Sequence, residues 1–303
     1  MQNFHHSIQD SCIDKLVYLM LSYQNMNMFN IATPEGRRAT VEIGVNIFMD
    51  LQGQIAPDLS MEVGAREAKF SLEMRRLFPK LPIVAVEGSP EAYAYFTEQH
   101  DYSSKKIDYL QCVVSDHSGT VDFNIVRERG QNDTQPGTNG RNSLNKRDYS
   151  KSVFHYDTIQ VISHKGDELL SRYNAHNATI WIDAEGAAKQ VLFGLEESLA
   201  KHRVASIYIE LESKEIWKDQ WNCYDIINYL LKYKYTPIYK DSEVEIQGNF
   251  IFIRNDLLDG YVIDTISKNI HNYNKIFFER INKLEARFNS IYELLRLKKL
   301  ISS

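Results

Sequence analysis

The segment that most constrains the fold runs from Leu59 to Pro90. Leu59-Ser60-Met61-Glu62-Val63 is short and mostly apolar and ends at Gly64, and Ile83-Val84-Ala85-Val86 repeats the pattern and ends in Glu87. Between them Phe70, Met74, Leu77 and Phe78 recur at i, i+4, i+7 and i+8, giving a helix one apolar face to lay on a sheet. Pro79 and Pro82 stop that helix. The result is a strand–turn–helix–strand unit with a carboxylate at the tip of its second strand. A carboxylate so placed accepts hydrogen bonds from both hydroxyls of a ribose, so the unit predicts a nucleoside-cofactor site.

The pattern continues on both sides. Residues up to about Gln54 read as helical: Ile13, Leu16, Val17 and Met20 share one face, and after the Thr33-Pro34-Glu35-Gly36 break Val41, Val45, Ile47 and Met49 share another. Ser89 and Pro90 supply an N-cap and first-turn proline for a helix to about His100. Ile107–Val114 reads as a third strand, and Val121, Phe123 and Ile125 alternate as in a half-exposed one. Arg127–Ser152 is polar and rich in Gly, Asn, Asp and Arg, which predicts either a disordered segment or a lid over a site; its place between core strands favours the lid. Further strands follow at Ile159–Ile162, Thr179–Ile182 and Ile207–Glu212, with helices at Asp167–Leu170, around Val191–Leu195 and around Ile226–Leu231. Thr236–Tyr239 and Asn249–Arg254 form a closing antiparallel pair. Strands alternating with helices point to an α/β chain with a doubly wound, mainly parallel sheet and added N- and C-terminal helices.

The boundaries so read are an N-terminal helical segment over 1–54, a core domain over 55–262 and a C-terminal amphipathic helix over 263–303. Phe277, Ile281, Leu284, Phe288, Ile291 and Leu295 follow heptad spacing. Both docking on the chain's own domain and a homo-oligomer formed through residues 267–298 remain open.

The net charge of -5 over 303 residues argues against a nucleic-acid partner, which demands clustered Lys and Arg. Cys12, Cys112 and Cys223 lack metal-type spacing and read as reduced thiols. The first ten residues carry no positive segment of a secretory signal, and the apolar run near Leu16–Leu21 is too short for a bilayer span. A soluble, cytoplasmic protein is expected.

Two cofactor classes use this architecture. A dinucleotide needs several glycines, because its pyrophosphate approaches bare backbone at a helix N-terminus. Here the turn is Gly64-Ala65-Arg66-Glu67-Ala68-Lys69, and Arg66 and Glu67 would crowd a pyrophosphate. S-adenosylmethionine has no phosphate. It needs one close approach, an acid for its ammonium group and an acid for its ribose, which Glu62, Gly64, Ala65 and Glu87 supply. It is preferred over the alternative, a nicotinamide-dependent oxidoreductase.

Glu62-Val63-Gly64-Ala65, Val86-Glu87-Gly88-Ser89-Pro90, Val113-Val114-Ser115-Asp116-His117-Ser118-Gly119, Asp167-Glu168-Leu169-Leu170 and Ile182-Asp183-Ala184-Glu185-Gly186 follow one another in order. This set resembles the FkbM family of S-adenosylmethionine-dependent methyltransferases over about residues 57–254. The resemblance implies a class I methyltransferase (Rossmann-like) sheet and transfer of a methyl group to a hydroxyl of a sugar, glycan or glycosylated metabolite. It implies that Glu62, Gly64 and Ala65 hold the methionine end and that Glu87, with Ser89 beside it, meets the ribose. Ser115 and Asp116 would lie near the adenine, and Asp183 near the sulfonium with Glu185 beside it. Glu62 stands for the family's usual Asp, Gly88 for a common proline, Trp181 for a usual lysine, and the second glycine of the first motif is absent.

Methyl transfer to oxygen needs alignment and removal of the hydroxyl proton. Asp183, Glu185, Glu210 and His155 are the candidate bases. No metal is expected, although Asp183 and Glu210 offer a variant in which a divalent ion acidifies the hydroxyl. Trp217 and Trp221 are candidates to stack on a sugar, and Arg141, Lys146 and Arg147 to receive an anionic acceptor. A non-catalytic scaffold that keeps the fold is the further alternative.

Overall fold

The computed structural model describes residues 31–127, 140–147, 155–273 and 275. The expected face from Ile13 to Met20, most of the polar insertion and the heptad run from Phe277 lie outside the described residues. The chain divides into two units, residues 30–259 and residues 1–29 with 260–303. In the smaller unit residues 260–273 are helical.

The larger unit begins with α1 (Pro34–Ile55), capped by Thr33, whose hydroxyl accepts from Gly36 N at 3.1 Å. Ala39, Ile43, Ile47, Phe48 and Leu51 are its buried stripe. The strand–helix–strand unit forms as expected: β1 (Leu59–Val63), α2 (Lys69–Leu77), β2 (Ile83–Glu87), then α3 (Pro90–Gln99) capped by Ser89. β3 (Ile107–Gln111) and β4 (Val113–Val114) follow, then β5 (Gly119–Val126) and β6 (Tyr156–His164). α4 (Gly166–Arg172), β7 (Ala178–Ile182), α5 (Ala188–Gly194), α6 (Glu196–Ala200), β8 (Val204–Glu212), α7 (Cys223–Lys232), β9 (Tyr235–Lys240) and β10 (Gln247–Arg254) complete the unit.

Seven strands form the main sheet in the order β3-β2-β1-β7-β8-β10-β9. The first five are parallel to their neighbours, while β10 lies antiparallel between β8 and β9. β1, β2, β7 and β8 are buried almost throughout, as strands covered on both faces must be. The chain leaves β1 toward β2 on one side and returns at β7 on the other. The sheet therefore opens a crevice at the carboxyl ends of β1 and β7, the position where α/β sheets bind ligands.

One layer beside this sheet is aromatic. The Trp181 ring stacks on Tyr208 at 3.7 Å between centroids and on Phe70 at 4.7 Å, with Phe48 edge-on. Tyr239 ties α1 down by donating its hydroxyl to Thr40 O at 2.8 Å.

Two expectations need correction. The single strand expected over Ile107–Val114 is two strands in different sheets. The strands expected around Val121–Ile125 and Ile159–Ile162 leave the doubly wound sheet: β5 and β6 pair antiparallel and, with β4, make a separate sheet ordered β4-β6-β5. Their solvent-facing alternation is the cause, because both outer faces of the main sheet are covered while β6 exposes about every second residue.

Candidate active site

The cleft at the switch point is lined by Gly64 and Arg66 after β1, Glu87 and Gly88 after β2, and Asp183 and Glu185 after β7, with apolar walls that include Val113 and Phe123. Gly64 sits at φ +77°, and a Cβ there would stand 1.8 Å from the carbonyl oxygen of Asp183. Only glycine lets the β1 tip pass so close to the β7 tip. Gly88 answers to a different neighbour: a Cβ would meet Val113 at 2.5 Å and the Phe123 ring at 2.8 Å. That contact explains why a glycine stands where the FkbM pattern has a proline.

Glu87 is buried and holds the loop between β1 and α2. One carboxylate oxygen accepts from Arg66 N and the other from Ser89 N, each at 2.7 Å. A carboxylate offers about four acceptor positions, so lone pairs remain for further donors. Burial raises its pKa, opposed by those two backbone N–H groups and by the Arg66 charge. The Tyr109 hydroxyl donates to Arg66 O, and that of Tyr102 to Glu67 O at 3.0 Å, completing the loop's support.

Glu62 has a different position from the one expected. It is buried outside the cleft lining, and its Oε2 accepts from Ser71 N at 2.8 Å, at the start of α2. A carboxylate at a helix N-terminus meets unpaired N–H groups and the positive end of the helix dipole. Burial nevertheless wins and raises its carboxyl to about 7. Ala65 is buried beside Gly64, and its N–H donates to Val86 O at 2.9 Å. Ser89 caps α3 by accepting from Ala92 N at 3.1 Å.

Ser115 and Asp116 also lie outside the cleft lining. Ser115 Oγ is 2.7 Å from Ser163 Oγ and joins β4 to β6, while Asp116 is exposed and paired with His117 at 2.8 Å. The cleft wall next to them is made by Cys112, Val113, Val114 and Phe123. Val113 and Val114 open the motif that carries Ser115 and Asp116, whereas Cys112 has no short-motif signal and the alternation of β5 placed Phe123 inward without revealing what it faces.

At the other end of the cleft Asp183, Glu185 and Glu210 converge, one carboxylate oxygen of each lying within 4.8 Å of the others. Asp183 opens to solvent within the cleft, and Glu185 and Glu210 are half-buried. Desolvation and the negative charges of Glu243, Glu212 and Glu87 raise Asp183 to about 7. Glu185 is held well above the ordinary carboxylate range by burial and by Asp183, with Arg147 opposing. Burial and the charges of Asp183 and Glu185 do the same to Glu210.

The described part of the insertion, residues 140–147, crosses this end as a strap. Ser143 pairs with Asn124 of β5 in an isolated bridge, and its hydroxyl donates to Glu185 O at 2.6 Å. Asn145 Nδ2 donates to Gly186 O at 2.8 Å and its Oδ1 accepts from Gln190 at 2.8 Å. Gly140, Asn142, Ser143 and Leu144 line the cleft, which is the position the lid expectation requires.

Arg147 lies 4.7 Å over the Trp217 ring and 3.8 Å from Glu185. Trp217 is fully buried, with Nε1 donating to Glu212 at 3.2 Å, so its ring is packed away from any sugar. Trp221 packs edge-on against Phe193 at 5.1 Å. His155 is exposed at the start of β6 and outside the cleft lining.

A switch-point cleft in a seven-stranded sheet with an antiparallel final pair defines the class I methyltransferase fold. The Methyltransferase FkbM domain matches residues 62–237, and the chain belongs to that family. Family and fold imply an S-adenosylmethionine-type cofactor. No curated protein matches the sequence. Solved structures similar to the chain include the METTL16 methyltransferase domain, with 11% identity, a TM-score of 0.41 and coverage of 71% of this chain and 69% of that one. The methyltransferase domain of bacterial CtHen1 has 10% identity, a TM-score of 0.36 and coverage of 73% and 100%. Human methyltransferase 10 domain containing protein has 11% identity, a TM-score of 0.38 and coverage of 69% and 77%. Among the described residues no helix is long and apolar enough to cross a membrane.

Proposed function

We propose that the chain transfers the methyl group of S-adenosylmethionine to a hydroxyl of a sugar, a glycan or a glycosylated metabolite. The observation that carries the cofactor reading is the charge of the cleft. Among its described lining residues three acids, Glu87, Asp183 and Glu185, face one cation, Arg66, and a bound sulfonium favours the ionised form of each. A sulfonium is attracted to such a site and a pyrophosphate is repelled. The family match favours the methyl donor over the nicotinamide cofactor.

Glu87 retains acceptor positions for ribose hydroxyls, and Val113 and Phe123 offer an apolar surface for a purine. Glu62 acts indirectly by anchoring α2, which follows the loop carrying Gly64 and Ala65. The cofactor supplies a methyl carbon already bonded to positive sulfur, so the protein's tasks are alignment and proton removal. Asp183, raised to about 7, is matched to accept a hydroxyl proton near neutral pH. Glu185 and Glu210, both raised in part by the charge of Asp183, are the alternative acceptors. A hydroxyl acceptor on a carbohydrate follows from the family's usual substrates.

Incubation with methyl-labelled donor and a panel of sugar nucleotides and glycans tests the reading. Label recovered as an O-methyl ether supports it. Donor binding without transfer to any hydroxyl, or transfer only to nitrogen, overturns the acceptor class.

A further inference from the structure

The three carboxylates at the ends of β7 and β8 have a property that proton transfer alone leaves unexplained. Ile182 of β7 pairs in register with Ile209 of β8, so Asp183 and Glu210 leave adjacent strand positions side by side. Glu185 returns to the same point two residues later, and all three oxygens stand within 4.8 Å of one another. Acidic clusters are common, and this proximity is insufficient alone. The independent observation is Glu210 Oε1, an oxygen of this half-buried side chain that is itself sealed from solvent and without a hydrogen-bond partner. A buried carboxylate oxygen with no donor is costly and calls for a positive partner. Arg147 stands 3.8 Å from Glu185.

We infer that Asp183, Glu185 and Glu210 form a binding site for one hard divalent cation. The donor set is all oxygen and all anionic, which selects Mg, Mn or Ca over metals that favour nitrogen or sulfur. Oxygens on opposite sides of a calcium ion lie roughly 4.6–5.2 Å apart, and those on magnesium about 4.1 Å. The three oxygens lie within 4.8 Å of one another, close enough for one ion to draw them into its coordination sphere with a modest contraction, smaller for calcium than for manganese or magnesium. The inference goes beyond methyl transfer and reverses the sequence-based expectation that no metal is bound; with an ion in place the three carboxylates would be its ligands and not the proton acceptors of the metal-free reading.

The full chain, treated with chelator and desalted, is titrated with MnCl2 while free Mn2+ is followed by electron paramagnetic resonance, and with CaCl2 by calorimetry. The expected result is one ion per chain at concentrations up to about 1 mM, within the range of weak carboxylate sites. Glu210→Gln should weaken binding roughly tenfold or more, as loss of a ligand charge does, while Glu197→Gln, exposed on α6, should not. Gln at 210 removes a buried charge, so the variant should fold; Asp183→Asn, with the same expected loss, decides the matter if it does not. Absence of Mn2+ and Ca2+ binding in this range overturns the inference. Binding that survives both Glu210→Gln and Asp183→Asn overturns it equally, because the ion would then sit elsewhere. Neither readout requires methyl donor, acceptor or turnover, so failure here leaves the methyltransferase reading intact.

Discussion

Replacing Glu62 by Gln isolates the largest numerically defined electrostatic strain in the strand–turn–helix unit. Glu62 is buried at the end of β1, and burial lifts its carboxyl from 4.5 to about 7 despite the hydrogen bond from Ser71 N. The folded state thus holds this proton more tightly than the unfolded chain does. The stabilisation is fully present below about pH 4.5 and is lost as pH rises through 7. A separation of 7 against 4.5 corresponds to a loss of about 2.5 kcal/mol between pH 5 and pH 8. Gln keeps an acceptor for Ser71 N and places an amide where the protonated acid has its hydroxyl, but it does not titrate. The difference in unfolding free energy between Glu62→Gln and the unaltered chain should therefore grow in favour of the variant by about 2–3 kcal/mol across that interval. Urea unfolding followed by circular dichroism at pH 5, 6, 7 and 8 reads it directly. The other raised acids titrate in both proteins and cancel in the difference. A difference that stays constant with pH refutes the reasoning and means that Glu62 is ionised without penalty.

Gly64→Ala should prevent the close passage of β1 and β7, because its Cβ would stand 1.8 Å from Asp183 O at a left-handed φ. A cost of about 2 kcal/mol or more in unfolding free energy is expected, with loss of donor binding; a variant of unchanged stability and affinity contradicts the packing account. Asn145→Ala removes both the bond to Gly186 O and the acceptor for Gln190. Hydrogen exchange over residues 140–147 should accelerate by about fivefold or more, for a loss of about 1–3 kcal/mol, while the main sheet keeps its protection. Exchange unchanged across the strap would show that these bonds do not hold it.

What was legible in the sequence was whatever local pattern decides. The apolar runs at Leu59–Val63 and Ile83–Val86 and the spacing of Phe70, Met74 and Leu77 fixed the central unit without distant partners. Glu87 and Asp183 were recognisable because each follows a strand of continuous burial, where a charge needs a reason. The second sheet was not legible, because whether β5 and β6 join the main sheet depends on non-local pairing that alternation does not encode. The side that Glu62 takes was not legible for a related reason: β1 is buried on both faces, so no alternation tells where its carboxylate points. Ser115 has the composition of a cofactor-loop residue and is instead drawn into a side-chain tie with Ser163. The strap was visible only as polarity; its contacts depend on Ser143 and Asn145 meeting the backbone of Glu185 and Gly186, more than forty residues away.

The central claim is that the cleft beside Gly64 binds a sulfonium nucleoside through Glu87. Calorimetric titration with S-adenosylhomocysteine, comparing the unaltered chain with Glu87→Ala, tests it most directly. The account predicts one site per chain and an affinity lowered at least about thirtyfold in the variant, about 2 kcal/mol for a buried charged acceptor. Equal affinity in the two proteins, or no binding to the unaltered chain at about 1 mM ligand, would contradict it.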